Sequence, residues 1–182
     1  IIMSNEEGAS SVYTTDIDDD GDIDVVSSSD VRIAWYENTD GQGNFGSQQI
    51  IDSDANNARD VYAADLDGDG DMDVLSDSNY GDKIGWYENT DGQGSFSVQQ
   101  IISTNVFDIR SIHATDLDED GDMDVLSASY WDNKIAWYEN ADGQGNFSVQ
   151  QIISTNTMAA TSVYAADIDG NGVIDVLSAS FD

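Results

Sequence analysis

Residues 65–73 read DLDGDGDMD, five aspartates in nine positions. Like charges packed so closely repel one another by energies comparable to the margin by which a domain is stable, unless a cation sits among them. The same stretch returns as DIDDDGDID from Asp16, DLDEDGDMD from Asp116 and DIDGNGVID from Asp167, at spacings of 49, 51 and 51 residues. The crowding is a repeated feature, and the repeat organises the chain.

Around each loop the rest of the unit recurs in register. WYEN returns at Trp35, Trp86 and Trp137, DGQG at Asp40, Asp91 and Asp142, and QQII from Gln48, Gln99 and Gln150. Residues 50–100 and 101–151 share 31 identities in 51 positions. The chain reads as one repeat array, with units of approximately 1–49, 50–100, 101–151 and an incomplete 152–182. The first unit is two residues shorter, between DVVSSSD and VRIAWYEN, in a turn where length changes cost little.

Each unit contains four β-like runs. In the second they are DVYAAD (60–65), MDVLSDS (72–78), KIGWYEN (83–89) and FSVQQII (96–102), punctuated by Asp, Asn and Gly. No segment sustains a 3.6-residue apolar period, and there is no proline. Four strands in about 50 residues, repeated, predict an all-β chain of propeller-type four-stranded antiparallel blades, about three and a half of them. An open β-solenoid of stacked sheets is the alternative. Ile1-Ile2 aligns with the end of an outer strand, and Phe181-Asp182 follows a second strand. Raw sheet edges of this kind are templates for further strand pairing, so further blades or other copies of the chain are expected partners.

Composition excludes several classes. The chain has 182 residues with 37 acids against 5 bases, a net charge of −32 that opposes nucleic acid and anionic membranes. The bases are spread out: Arg32, Lys83 and Lys134 fall in one repeating column, Arg59 and Arg110 in another. There is no cysteine for disulfides or thiolate metal sites, and no apolar run approaches a membrane span. The chain begins at Ile1 without an initiator Met or signal peptide, as expected of a processed protein or part of a longer one.

Read as a ligand set, the loop is D-x-D-x-D-G-x-x-D. Carboxylates at positions 1, 3, 5 and 9 with a carbonyl at 7 can surround a hard cation of calcium size, and Gly at position 6 allows the sharp turn. An EF-hand would need Glu at position 12 and flanking helices. Here position 12 is Ser27, Ser76, Ser127 and Ser178, and the flanks are strand-like.

Strand, acidic loop, strand, then KIAWYEN, DGQGNFS and QQII resembles the FG-GAP/VCBS repeat of secreted and surface proteins, whose calcium loops are similar to those of integrin α-chain propellers. The resemblance covers essentially the whole chain. It implies calcium in the first hairpin of each blade, about four ions in all. The implied ligands are Asp16, Asp18, Asp20 and Asp24; Asp65, Asp67, Asp69 and Asp73; Asp116, Asp118, Asp120 and Asp124; and Asp167, Asp169, Asn171 and Asp175. Asp22, Asp71, Asp122 and Val173 would contribute only carbonyls. No Gly-Ala-Pro occurs, and FG appears once, at Phe45-Gly46, so integrin-type ligand recognition does not carry over.

Other residues invite roles. His113, the only histidine, aligns with Tyr13, Tyr62 and Tyr164 and reads as a packed aromatic rather than a general base. The Trp-Tyr pairs of WYEN could line a sugar groove, but their place at a strand centre favours core packing. Trp131 in SYWDNK has no Trp counterpart and is the better candidate for a surface contact. Glu37, Glu88 and Glu139 have no second carboxylate set apart from them as an acid/base pair. There is no nucleophile elbow, phosphate-cradling loop or HExxH, and Asn146-Phe147-Ser148 is a single sequon. The expected role is non-catalytic: an extracellular, secreted or cell-surface calcium-binding repeat protein with a structural or adhesive part, able to self-assemble. A lectin-like or protein-ligand-binding module, with carbohydrate or a surface protein as partner, is the alternative.

Overall fold

The computed structural model describes residues 8–181; Ile1 and Ile2, read above as the end of an outer strand, lie outside them. Three four-stranded antiparallel sheets follow one another along the chain. Blade 1 holds β1 (Ser11–Thr15), β2 (Asp24–Ser28), β3 (Ile33–Tyr36) and β4 (Gln49–Asp52). Blade 2 holds β5 (Val61–Ala64), β6 (Asp73–Ser78), β7 (Lys83–Tyr87) and β8 (Gln100–Ser103). Blade 3 holds β9 (Ile109–Thr115), β10 (Asp124–Ser129), β11 (Lys134–Tyr138) and β12 (Gln151–Ser154). A fourth sheet pairs β13 (Ala160–Ala166) with β14 (Asp175–Ser180).

Among the described residues every strand pairs only within its own blade, whose outer strand (β4, β8 or β12) runs past the repeat boundary read from the sequence; a solenoid would pair strands of successive blades. Neighbouring blades instead meet through their first strands, β1 with β5, β5 with β9 and β9 with β13. The architecture is that of propeller blades set side by side, and no barrel closes among the described residues. No helix among them is long and apolar enough to cross a membrane.

The blades are held face to face by apolar clusters that straddle each boundary. Ile17, Val26, Ile33 and Trp35 of blade 1 pack with Ala58, Val61, Val74 and Tyr87 from the second repeat. Leu66, Leu75, Ile84 and Trp86 do the same with Ile109, Ile112, Val125 and Tyr138. A fully buried Leu or Ile contributes about 1.5–3 kcal/mol relative to exposure, so each boundary is a core in its own right. Trp35 and Trp86 are each only 2% exposed. The tryptophans of the first two WYEN segments therefore serve the core, as their strand-centre position predicts. The first strands also line up one ring per blade: Tyr13, Tyr62, His113 and Tyr164 stack in a row at centroid separations of 4.4, 4.9 and 4.6 Å. His113 is buried in that row, and desolvation lowers its pKa.

The fourth strand departs from expectation. FSVQQII yields a strand only from Gln100, and Phe96 makes an isolated bridge to Asn89. The reason lies in the DGQG turn. Ser97 N–H donates to the Glu88 carbonyl (2.8 Å), Ser97 Oγ accepts from Glu88 N–H (3.0 Å), and the chain bends at exposed Val98 before pairing resumes. The two glutamines of QQII then reach back across the sheet. Gln99 Nε2 donates to Tyr87 Oη (3.0 Å) and Gln100 Nε2 to Glu88 Oε2 (3.2 Å), with the same pairs in blade 3 at Gln150–Tyr138 and Gln151–Glu139.

Candidate metal centres

Each acidic loop is the hairpin between the first two strands of its blade, and its turn is built by its own aspartates. The position-1 carboxylate folds the loop over itself: Asp16 accepts the N–H groups of Asp20 (3.2 Å) and Gly21 (2.9 Å), and Asp116 those of Asp120 (3.1 Å) and Gly121 (3.0 Å). The position-5 side chain accepts the N–H of position 7, as Asp69 does from Asp71 at 2.9 Å. Position 6 requires glycine: Gly21, Gly70, Gly121 and Gly172 have φ of 92°, 101°, 103° and 91°, which a side chain would strain.

The position-9 carboxylate has a second duty. Asp24, Asp73 and Asp124 are buried, and each accepts two backbone N–H groups. Asp73 Oδ2 takes Leu66 N–H (2.9 Å) and Oδ1 takes Asn89 N–H (2.8 Å). The loop is thereby tied to the WYEN segment of its own blade.

With these restraints, the carboxylates of positions 1, 3 and 9 converge in all four loops. Oxygens of Asp16, Asp18 and Asp24, of Asp65, Asp67 and Asp73, of Asp116, Asp118 and Asp124, and of Asp167, Asp169 and Asp175 lie within 4.8 Å of one another. Position 5 joins such a group only in the first loop, where Asp20 meets Asp18 and Glu37 within the same distance. In the sequence Glu37 has no second carboxylate set apart from it as an acid/base pair. Strand pairing brings it over the loop, and Glu88 and Glu139 likewise add to the negative potential at Asp67 and Asp118. The position-7 side chains lie elsewhere: a Cβ on Gly41, Gly92 or Gly143 of the DGQG turns would collide with Asp22, Asp71 or Asp122.

The donor set fits a hard cation. It is all oxygen, it gathers three carboxylates per loop, and Asp18 Oδ1 is buried without a hydrogen-bond partner. Desolvation and neighbouring carboxylates push Asp18 from 3.8 up to about 6. Burial likewise raises Asp73 to about 7 and Asp124 to about 6. Metal-free, the folded chain holds protons that the unfolded chain releases above pH ~4, so that contribution to stability is complete below pH ~4 and is lost as pH rises through ~6–7. The melting midpoint of metal-stripped protein should therefore rise as pH is lowered from 8 to 5. The increment added by calcium should shrink over the same span, because protons and calcium compete for the same oxygens. A metal-stripped midpoint that falls on acidification would contradict this.

The four loops are not equal. Asp167 and Asp169 are exposed and Asp175 is not buried, unlike its three counterparts. Position 5 is Asn171, which removes one charge. Fewer charges on a less enclosed site weaken binding. The fourth loop is expected to empty first in a calcium titration followed by NMR, and Asn171→Asp to tighten it.

The sites are mechanically linked. Asn89 Nδ2 donates to the carbonyl of Ile17 in the preceding blade's loop (2.9 Å) and to Met72 in its own (3.4 Å), while its Oδ1 accepts Gly94 N–H (3.0 Å). Asn140 repeats this with Leu66 (2.9 Å), Met123 (3.2 Å) and Gly145 (3.1 Å). Trp35 and Trp86 close the same boundary, since a Cβ on Gly94 or Gly145 of the next blade would strike their rings.

A model of the FG-GAP-like repeat matches residues 16–76, 78–127 and 116–178. No curated protein matches the sequence. Among solved structures the fold is similar to an Agrocybe aegerita lectin described for specific recognition of non-reducing terminal N-acetylglucosamine, with a TM-score of 0.66 and 20% identity. The match covers 92% of this chain and 46% of that one, so this chain spans about half the length of that propeller.

Proposed function

The chain belongs to the FG-GAP-like repeat family, and from that premise we propose that it is a non-catalytic, calcium-stapled propeller module with a structural or adhesive role outside the cell. The observation that carries this reading is the convergence of positions 1, 3 and 9 in all four loops. Calcium, held by those carboxylates with Glu37 at hand in the first loop, would supply charge neutralisation and a rigid hairpin tip. If the module is extracellular, its sites are expected to bind calcium at about 10⁻⁴–10⁻³ M. His113 is stacked between two tyrosines, an arrangement that favours packing over acid–base work.

The edge of β14 supports association. Within the described residues β14 pairs only with β13, and Leu177 and Phe181 are exposed beside it. Further blades or another copy would complete that sheet. Carbohydrate is the adhesion target we favour, supported by exposed Trp131 and by the lectin likeness of the fold.

Isothermal titration tests the calcium reading. The expected result is about four ions with dissociation constants in the stated range, reduced by one in the double variant Asp65→Asn/Asp67→Asn. Absence of millimolar binding, or an unchanged stoichiometry in the variant, would refute it.

A further inference from the structure

We infer that the cleft between blades 2 and 3, at the end of the blades opposite the acidic loops, is a binding site for a neutral saccharide. The cleft encloses about 500 Å³, within the range of small-ligand sites. One wall is the β6–β7 connection with Asn79, Tyr80 and Asp82; the other is formed by Phe107, Arg110 and Trp131. Three aromatic side chains are left in water there: Tyr80 is 82% exposed, Trp131 71% and Phe107 55%. Large aromatics so exposed around a concavity mark a recognition surface rather than a core.

The polar groups between the rings are held ready. Arg110 is fixed from two sides: Nε and Nη2 donate to Asp108 Oδ2 (3.2 and 2.7 Å), and the guanidinium lies 4.7 Å from the Tyr130 ring centroid. Its Nη1 makes no hydrogen bond among the described residues. Asn79 also lines the cleft, and its side-chain amide makes no hydrogen bond within the described residues. Neither of its polar atoms is buried away from water, so the amide is free to pair with the hydroxyls of a ligand. Asp77 prepares the same wall by accepting the N–H groups of Arg59 and Asp60 at 2.8 Å each.

The chemistry selects the ligand class. Arg59 and Arg110 are balanced by Asp82 and Asp108, which leaves the cleft without net charge on a chain of −32. An anion would have to approach against the surrounding field, and a cation would meet two guanidinium groups. A pyranose presents apolar C–H faces to stack on Trp131 and Tyr80, and hydroxyls that pair with planar amide, carboxylate and guanidinium groups.

The cleft is particular to this boundary. Where Phe107, Asp108 and Arg110 stand, the preceding repeat has Asn56, Asn57 and Arg59, and the following one has Met158, Ala159 and Thr161. Asp77 becomes Ala128 and Ala179, and the shorter first repeat lacks the residues that carry Tyr80. A purely structural feature of the repeat would recur at every boundary.

This inference rests on the adhesive reading above, but not on calcium affinity. The test therefore uses calcium-saturated protein whose melting has been checked first. Cellobiose, maltose and lactose serve as probes in saturation-transfer NMR. Binding of at least one is expected, with a dissociation constant of ~1–10 mM, lost in Trp131→Ala and weakened about tenfold in Asn79→Ala. Val149→Ala, at an exposed residue outside the cleft, should leave it unchanged. Because Trp131 is exposed, its variant should melt with the parent protein. Three outcomes would overturn the inference: no transfer to any of the three probes, undiminished transfer in Trp131→Ala, or preference for uronic-acid disaccharides over neutral ones.

Discussion

Stripping calcium should lower the melting midpoint by more than ~20 °C. At ~10 mM calcium, a site with a dissociation constant of ~10⁻⁴ M is saturated about a hundredfold and adds ~2.7 kcal/mol to the folded state. Four sites would together rival the whole stability of an ordinary domain. The blades would lose more than binding energy. Without a cation, three carboxylates within 4.8 Å in each loop repel one another at the hairpin tips. The measurement is calorimetric melting of metal-stripped protein with and without added calcium at one pH and ionic strength. Magnesium serves as the control, since it prefers small octahedral sites and keeps its water. An unchanged midpoint would remove calcium from the account of this fold.

Asn140→Ala is expected to cost about 2–4 kcal/mol, more than a typical polar-to-alanine change. The side chain is buried and serves three backbone groups: the Leu66 and Met123 carbonyls and the Gly145 N–H. Alanine leaves all three without that partner, at about 1–3 kcal/mol for the buried bond to Leu66 and less for the two part-buried ones, which water can replace. The Asn140 N–H bond to Asp124 (2.8 Å) survives, so the loss isolates the side chain. Asn38 is the internal comparison. Its side chain binds the Ile23 carbonyl (3.1 Å) and Gly43 N–H (3.0 Å), both in its own repeat, and Asn38→Ala should cost less. Urea denaturation of the two variants in excess calcium gives the ranking. Because Asn140 joins the second and third loops, its loss should also weaken calcium binding at both. Equal costs for the two variants would mean that the bond between blades adds nothing.

The repeat, the strand order and the ligand spacing are all legible in one dimension. A hairpin loop closes over nine residues, so the positions whose carboxylates converge, the glycine that permits the turn and the aspartate that returns to it are local facts of chain geometry. Four copies in register at about 50 residues carry the architecture for the same reason: a unit of four short strands cannot bury its faces alone and must stack on its like. The WYEN tryptophans and the Tyr/His column were equally readable, because periodic aromatics at strand centres pack.

Other features depend on contacts between distant residues. Glu37 reaches Asp18 and Asp20 only because β3 pairs with β2, and no spacing rule connects WYEN to the acidic loop. Asn89 and Asn140 look like ordinary turn residues until the preceding blade delivers Ile17 and Leu66, 72 and 74 positions away, to their amides. The cleft at Tyr80, Phe107 and Trp131 is assembled from three connections that are separate in sequence and differ from repeat to repeat. A repeat encodes in every copy what every blade must do for itself. What one boundary does differently is written in its irregular positions, and these acquire meaning only when the neighbouring blade is packed against them.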